Sequence, residues 1–265
     1  MPEKNNNTSR STVRLNVKAT GETADGIPVV LIGSLGSDRS MWEEQIGPLS
    51  EKWPLVAVDL RGHGASPVPN GPYSMPDLAA DVLATLDDMR VRRAHIVGLS
   101  LGGAIAQQIA LDAPERVTSL TLVSTAAKFG EEQTWRDKAA TVRAEGTKAL
   151  ADTVAHNWFT PTFGEAGAFT DYEAMVSASP DEGYAACCEA LAEFDSRPRL
   201  GEISAPTLVI SAADDPSTPP DVVRVLADGI PGARLESVSP AAHLVNVEQA
   251  AVVNQLLAEH FTTAV

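Results

Sequence analysis

Ala94-His95-Ile96-Val97-Gly98-Leu99-Ser100-Leu101-Gly102 is the stretch on which the reading of this chain turns. Ala94–Val97 is a short continuous apolar run, the signature of a strand buried on both faces. From Leu101 to Asp112 the pattern becomes helical, and Pro114 stops it. Between strand and helix stands Gly-x-Ser-x-Gly. Small residues flank the serine because the turn is sharp: a side chain at 98 or 102 would collide with neighbouring backbone. The strained turn pushes the Ser100 hydroxyl into the open.

Similar apolar runs lie on both sides of this turn. Pro28–Ile32, Leu55–Val58, Leu120–Val123 and Thr207–Ile210 each read as a buried strand. Thr12–Ala19 alternates at Val13, Leu15 and Val17 and predicts a first strand, while Arg234–Val238 is strand-like near the carboxyl end. Pro76–Met89 carries Leu78, Val82, Leu86 and Met89 at helical spacing after Pro/Ser/Asp start signals. Strand and helix alternating along the chain predict an α/β fold with a mostly parallel, doubly wound sheet. From about Lys128 to Ile203 the strands vanish and helical patterns take over. This segment, 128–203, reads as a helical cap inserted between the sixth and seventh strands, over the carboxyl edge of the sheet where such folds bind ligands. The core would then comprise 12–127 and 204–265, with residues 1–11 as a disordered tail.

The chain has 265 residues, enough for one large α/β domain with an insertion. Its 20 basic and 35 acidic residues give a net charge of −15, which argues against binding nucleic acid or an anionic membrane. No apolar run approaches membrane-spanning length, and the polar start offers no secretory signal. A cytoplasmic protein is expected. The two cysteines, Cys187 and Cys188, are adjacent and form no disulfide framework; they read as thiols without chemistry. No Cys/His spacing suggests a metal and no Gly-x-Gly-x-x-Gly a nucleotide, so no cofactor is expected.

A serine hydroxyl is a poor nucleophile at neutral pH and needs a base. Among the five histidines, His95 lies in a strand, His260 in the last helix, His156 in the cap and His63 in a turn. His243, on the loop after Arg234–Val238, is placed to serve Ser100. The orienting acid should follow a strand end, and Asp214 and Asp215 both follow Thr207–Ile210. Two backbone N–H groups should form an oxyanion hole: that of Leu101, and one from Gly33-Ser34-Leu35-Gly36, placed at Leu35. Arg61-Gly62-His63-Gly64-Ala65-Ser66 lacks the Gly-Lys-Ser/Thr of a phosphate loop. It reads as a structural turn whose Arg61 and preceding Asp59 hold the loops around Ser100.

With these motifs in place the chain resembles the α/β-hydrolase superfamily, and within it the 3-oxoadipate enol-lactonases. The general motifs are Arg61-Gly62-His63-Gly64, Gly98-Leu99-Ser100-Leu101-Gly102, and Asp215 with His243. More specific are Ser34-Leu35-Gly36-Ser37-Asp38 with Met41-Trp42 and, in the cap, Trp135, Val142-Arg143, Trp158-Phe159-Thr160-Pro161 and Gly183–Leu191. In related sequences the acid stands four residues before a proline, here Pro219, which selects Asp215 over Asp214. Gly33 departs from the family, which tends to have Asn there. The resemblance implies a serine hydrolase that opens the small-molecule enol-lactone of 3-oxoadipate, a step of aromatic-compound catabolism. The substrate's carboxylate calls for a cap residue such as Trp135, through its indole N–H, or Arg136 or Arg143. Other hydrolases of this fold, acting on esters or C–C bonds or with incidental perhydrolase activity, would share the triad. A non-catalytic ligand receptor is the alternative outside enzymology.

Overall fold

The computed structural model describes residues 12–21 and 26–264; the tail expected over 1–11 lies outside the described residues. Among the described residues seven strands form one sheet: β1 (Val17–Thr20), β2 (Val29–Ile32), β3 (Leu55–Val58), β4 (Ala94–Leu99), β5 (Val117–Val123), β6 (Thr207–Ala212) and β7 (Arg234–Val238). Their spatial order is β1-β3-β2-β4-β5-β6-β7. All neighbours pair in parallel except β1, which runs antiparallel to β3. Every residue of β2 to β6 is buried, whereas β1 and β7 at the edges are partly exposed. Helices on both sides explain why the central strands are continuously apolar.

Strand β1 starts later than the alternation of Val13, Leu15 and Val17 predicts. The Val13 and Leu15 N–H groups donate instead to the side chains of Asp81 (2.8 Å) and Thr85 (3.1 Å). Both acceptors lie on α2 (Met75–Asp88), so this segment is fastened to a helix before it joins the sheet. Helix α2 opens with a capping box between Ser74 and Asp77.

Strand order places the site. From β2 the chain passes through α1 (Glu43–Leu49) to β3 on one side, then through α2 to β4 on the other. Right-handed crossovers therefore put α1 on one face and α2 with α3 (Leu101–Asp112) on the opposite face. The loops after β2 and β4 diverge at this switch point and leave a crevice between them.

The helical insertion falls between β5 and β6, one strand earlier in chain order than expected. Among the described residues only β1 precedes β2. The insertion holds α4 (Glu132–Glu145), α5 (Ala151–Trp158), a single turn α6 (Pro161–Phe163), α7 (Phe169–Ala178) and α8 (Asp181–Glu193). Helix α8 touches the core through glycine on both sides. A Cβ on Gly62 would stand 2.5 Å from Gly183 Cα, and one on Gly183 would stand 2.1 Å from the Gly62 carbonyl oxygen. Cys187 and Cys188 are free and buried on α8, and burial raises the pKa of both thiols, Cys188 to about 12. After β6 come α9 (Pro220–Gly229), β7, a short α10 (Val245–Glu248) and α11 (Ala250–Thr263). No helix among the described residues is long and apolar enough to cross a membrane.

Candidate active site

Ser100 occupies the turn between β4 and α3 with φ 56° and ψ −116°, a conformation costly for any residue bearing a Cβ. The turn is held from several directions. Ser100 N–H donates to Val123 O (3.0 Å), and its carbonyl accepts from Gly103 N (2.9 Å), Ala104 N (3.1 Å) and the Thr125 hydroxyl (2.7 Å). The glycines permit this crowding. A Cβ on Gly98 would lie 2.1 Å from Gly102 O, and one on Gly102 would lie 2.1 Å from Ile32 O. The collision expected at these two positions is thus with backbone, which cannot step aside.

His243 follows β7 and is buried, with Nδ1 2.8 Å from Asp215 Oδ2. Asp215 follows β6 and is buried too. Its Oδ2 also accepts from the Thr218 hydroxyl (2.6 Å), while Oδ1 accepts from the N–H groups of Ser217 (2.8 Å) and Thr218 (3.1 Å). Burial pushes the Asp215 pKa upward, but the charge of His243 and the bonds from His243 and Thr218 outweigh it. The carboxyl is held below its ordinary value and stays ionised. Asp214, its exposed neighbour, instead joins the two loops: its N–H donates to Ala241 O (2.9 Å) and its Oδ2 accepts from Ala241 N–H (3.2 Å). The His243 loop is tied to the cap as well, by Leu244 N–H to Trp158 O (2.9 Å) and by Glu248, which accepts from Ala242 N–H (3.0 Å) and from Thr160.

Leu35 lies in the loop after β2, which Gly102 N–H joins to the start of α3 through Gly33 O (3.0 Å). Among the described residues neither the Leu35 nor the Leu101 N–H has a protein acceptor, and Leu101 is the first residue of α3, where intrahelical acceptors are lacking. The amides on either side of Leu35 are engaged: Ser34 N–H to Met41 Sδ (3.3 Å), and Gly36 N–H to His63 Nε2 (3.0 Å). His63 is fully buried, and its Nδ1 lies 3.2 Å from Arg61 O. With Nε2 accepting, the proton sits on Nδ1 and is donated to that carbonyl. Burial lowers the His63 pKa, which keeps this tautomer neutral. The motif turn thus supports the loop after β2 through His63. Its two charged residues serve separate clusters. Asp59 accepts from Arg39 (2.5 Å), and Arg61 forms a buried ion pair with Asp81 of α2 (2.5 Å) beside the Tyr73 ring.

Ser100, His243 and Leu35 line one cavity of about 80 Å³, with Ser34, Ser217 and Thr218 on the core side. The cap supplies Phe129, Trp135, Lys138, Val154, Asn157, Trp158 and Tyr184. Trp135 lines the cavity as expected, but its indole N–H is spent on Phe129 O (2.5 Å), so only the ring faces a ligand. Arg143 does not line it. Glu182 (2.8 Å) and Glu189 (2.6 Å) hold its guanidinium on the cap surface, and Arg136 is held likewise by Glu132 and Glu193. The cation that does line the cavity is Lys138, absent from the sequence expectations. The available signal was its spacing, three residues after Trp135 on the same helical face.

Comparison with known proteins agrees with this architecture. Residues 27–250 match the family model described as the alpha/beta hydrolase fold. The chain is 42% identical over 243 residues to 3-oxoadipate enol-lactonase 2 of Acinetobacter baylyi, covering 89% of each. It superposes on the crystal structure of the enol-lactonase from Burkholderia xenovorans LB400 with a TM-score of 0.91 at 35% identity, covering 94% of this chain and 97% of that one. A thermophilic esterase from Thermogutta terrifontis matches with a TM-score of 0.90 at 28% identity, covering 95% of this chain and 94% of the other. Fold, site geometry and these similarities together make the chain a member of the α/β-hydrolase family, with enol-lactonases among its near relatives.

Proposed function

We propose that this protein is a cytoplasmic serine hydrolase that opens 3-oxoadipate enol-lactone to 3-oxoadipate in aromatic-compound catabolism. One observation carries the reading: Ser100, on a strained turn, shares a cavity with His243, whose other ring nitrogen is held by buried, ionised Asp215. Similarity to two enol-lactonases supports the choice of substrate.

In this mechanism His243 Nε2 takes the Ser100 proton as Oγ attacks the lactone carbonyl, and the imidazolium is stabilised by Asp215. The tetrahedral oxyanion sits against the N–H groups of Leu35 and Leu101. Collapse breaks the bond to the ring oxygen, which leaves as an enol with the proton from His243. An enolate is a better leaving group than an alkoxide, so this step asks less of the imidazolium as acid. The leaving group stays tethered to the acyl chain and could reclose the ring; tautomerisation to the ketone removes that nucleophile. Water, deprotonated by His243, then attacks the acyl-enzyme and releases the acid and the free Ser100 hydroxyl.

The test is the ultraviolet absorbance of freshly generated enol-lactone, followed with wild type and Ser100→Ala. Rapid loss with wild type and only background with the variant is expected. The similarity to a thermophilic esterase favours a second reading, hydrolysis of simple carboxylic esters at the same triad. An untouched lactone together with Ser100-dependent cleavage of an aryl ester would establish that reading instead.

A further inference from the structure

We infer that Lys138 is the specificity-determining residue of the cavity and that it selects acyl substrates carrying a free aliphatic carboxylate. The inference rests on the proposed hydrolase and deepens it. Among the described residues that line the cavity, Lys138 is the one lysine or arginine, and none is an aspartate or glutamate. The neighbouring cap arginines, Arg136 and Arg143, are each consumed by two glutamates. Lys138, on the same helix, makes no ion pair among the described residues. Its Nζ lies 4.5 Å from the centre of the Trp135 ring. That contact holds the ammonium in place through the face of the ring and leaves its N–H donors unspent.

The charge of the whole protein sharpens the point. At −15 the protein's net charge disfavours anions, so a carboxylate-bearing substrate is helped by a local cation in the cavity. A cation facing a small cavity without its own counter-ion is costly unless the ligand supplies one. Lys138 belongs to the cap, while Ser100, His243 and the Leu35 amide belong to the core. A substrate bridging the two would place its carboxylate at the cap and its reacting carbonyl at Ser100. Ring opening then creates a second carboxylate at the Ser100 end, and the net negative charge of the protein favours its departure.

The experiment separates this inference from the identity of the substrate. Adipate is titrated into the full chain and followed by tryptophan fluorescence, since Trp135 and Trp158 line the cavity. Wild type is compared with Lys138→Met, which keeps the aliphatic stem against Trp135, and with Lys138→Arg. The expected result is a loss of adipate affinity of about tenfold or more in Lys138→Met, with partial recovery in Lys138→Arg, the scale of a charge-assisted hydrogen bond. Adipamide, the neutral diamide, should not distinguish wild type from Lys138→Met. Adipate bound equally by wild type and Lys138→Met, or not bound by wild type, overturns the inference. If adipate binding depends on Lys138 but the enol-lactone is untouched by wild type, the carboxylate site stands and the proposed substrate falls.

Discussion

His243 Nδ1 and Asp215 Oδ2 are 2.8 Å apart, and both side chains are buried, although 28 positions separate them in the chain. The bond engages Nδ1 and leaves Nε2 as the ring nitrogen for the cavity that His243 and Ser100 both line. Asp215→Asn would keep the shape but present an amide, and the ring would lose both its tautomer control and the charge that stabilises imidazolium. A fall in kcat of about 10⁴ is expected, as for triads generally. Asp214→Asn retains an oxygen for Ala241 N–H and should change kcat less than about threefold, the scale of a surface change of roughly 0.5 kcal/mol. Steady-state rates of the two purified variants check the pair. Comparable losses in both would show that the assignment of the acid is wrong.

Ser100 is expected to trade stability for its place at the cavity. Its φ of 56° with ψ −116° carries a strain of about 1–3 kcal/mol, which glycine would relieve at an entropic cost of about 0.5–1 kcal/mol. Ser100→Gly should therefore be more stable than Ser100→Ala by about 1 kcal/mol, while both lose hydrolysis. Urea denaturation of the two inactive variants measures the difference. A more stable Ser100→Ala would show that the turn is not strained in solution.

Much of this was legible in the chain because the chemistry is local. Gly98, Ser100 and Gly102 specify a strand-to-helix turn within five residues, and the continuous apolar runs of β2 to β6 follow from burial on both faces. The choice of Asp215 over Asp214 needed the family's proline spacing. What stayed hidden depends on long-range partners. Arg143 looks like a free cap cation until Glu182 and Glu189, 39 and 46 positions away, are folded onto it. The Trp135 N–H is lost to a carbonyl in the chain leading into α4, which no side-chain pattern reports. The stretch holding Val13 and Leu15 has strand periodicity, yet its amides go to α2 side chains, a competition that alternation alone cannot register.

His63 is expected to act at a distance on the oxyanion. Its Nε2 accepts the Gly36 N–H next to the Leu35 amide proposed as a donor, so His63→Leu frees the loop and leaves a buried donor without a partner. Stability should fall by about 1–3 kcal/mol. Because the donor matters most once negative charge has developed, kcat should fall about tenfold or more while KM changes little, a smaller loss than removing the donor itself. His63→Gln, which can still accept from Gly36, should recover most of the rate. A merely structural role would lower stability in both variants and leave the kcat of the folded fraction unchanged.

Acid should destabilise the fold before its carboxylates protonate, because buried histidines must become charged. His95 lies on β4, with Nδ1 2.8 Å from the Ser119 hydroxyl, and Phe261 and His260 pack nearby. Burial, aided by the charges of His260 and Arg93, lowers its pKa to about 4. In the unfolded chain a histidine titrates near about 6.5. Between these values the unfolded state binds the proton and the folded state does not, so stability is full above about pH 6.5 and declines as the pH falls toward 4. His63 and His260, also lowered chiefly by burial, act in the same direction. Thermal midpoints measured from pH 7.5 down to 4.5 should therefore fall steadily, and the slope should be shallower in His95→Gln, which has no proton to take up. A midpoint that is flat across this window, or a slope unchanged in the variant, would mean that His95 is already protonated or solvated in the folded protein.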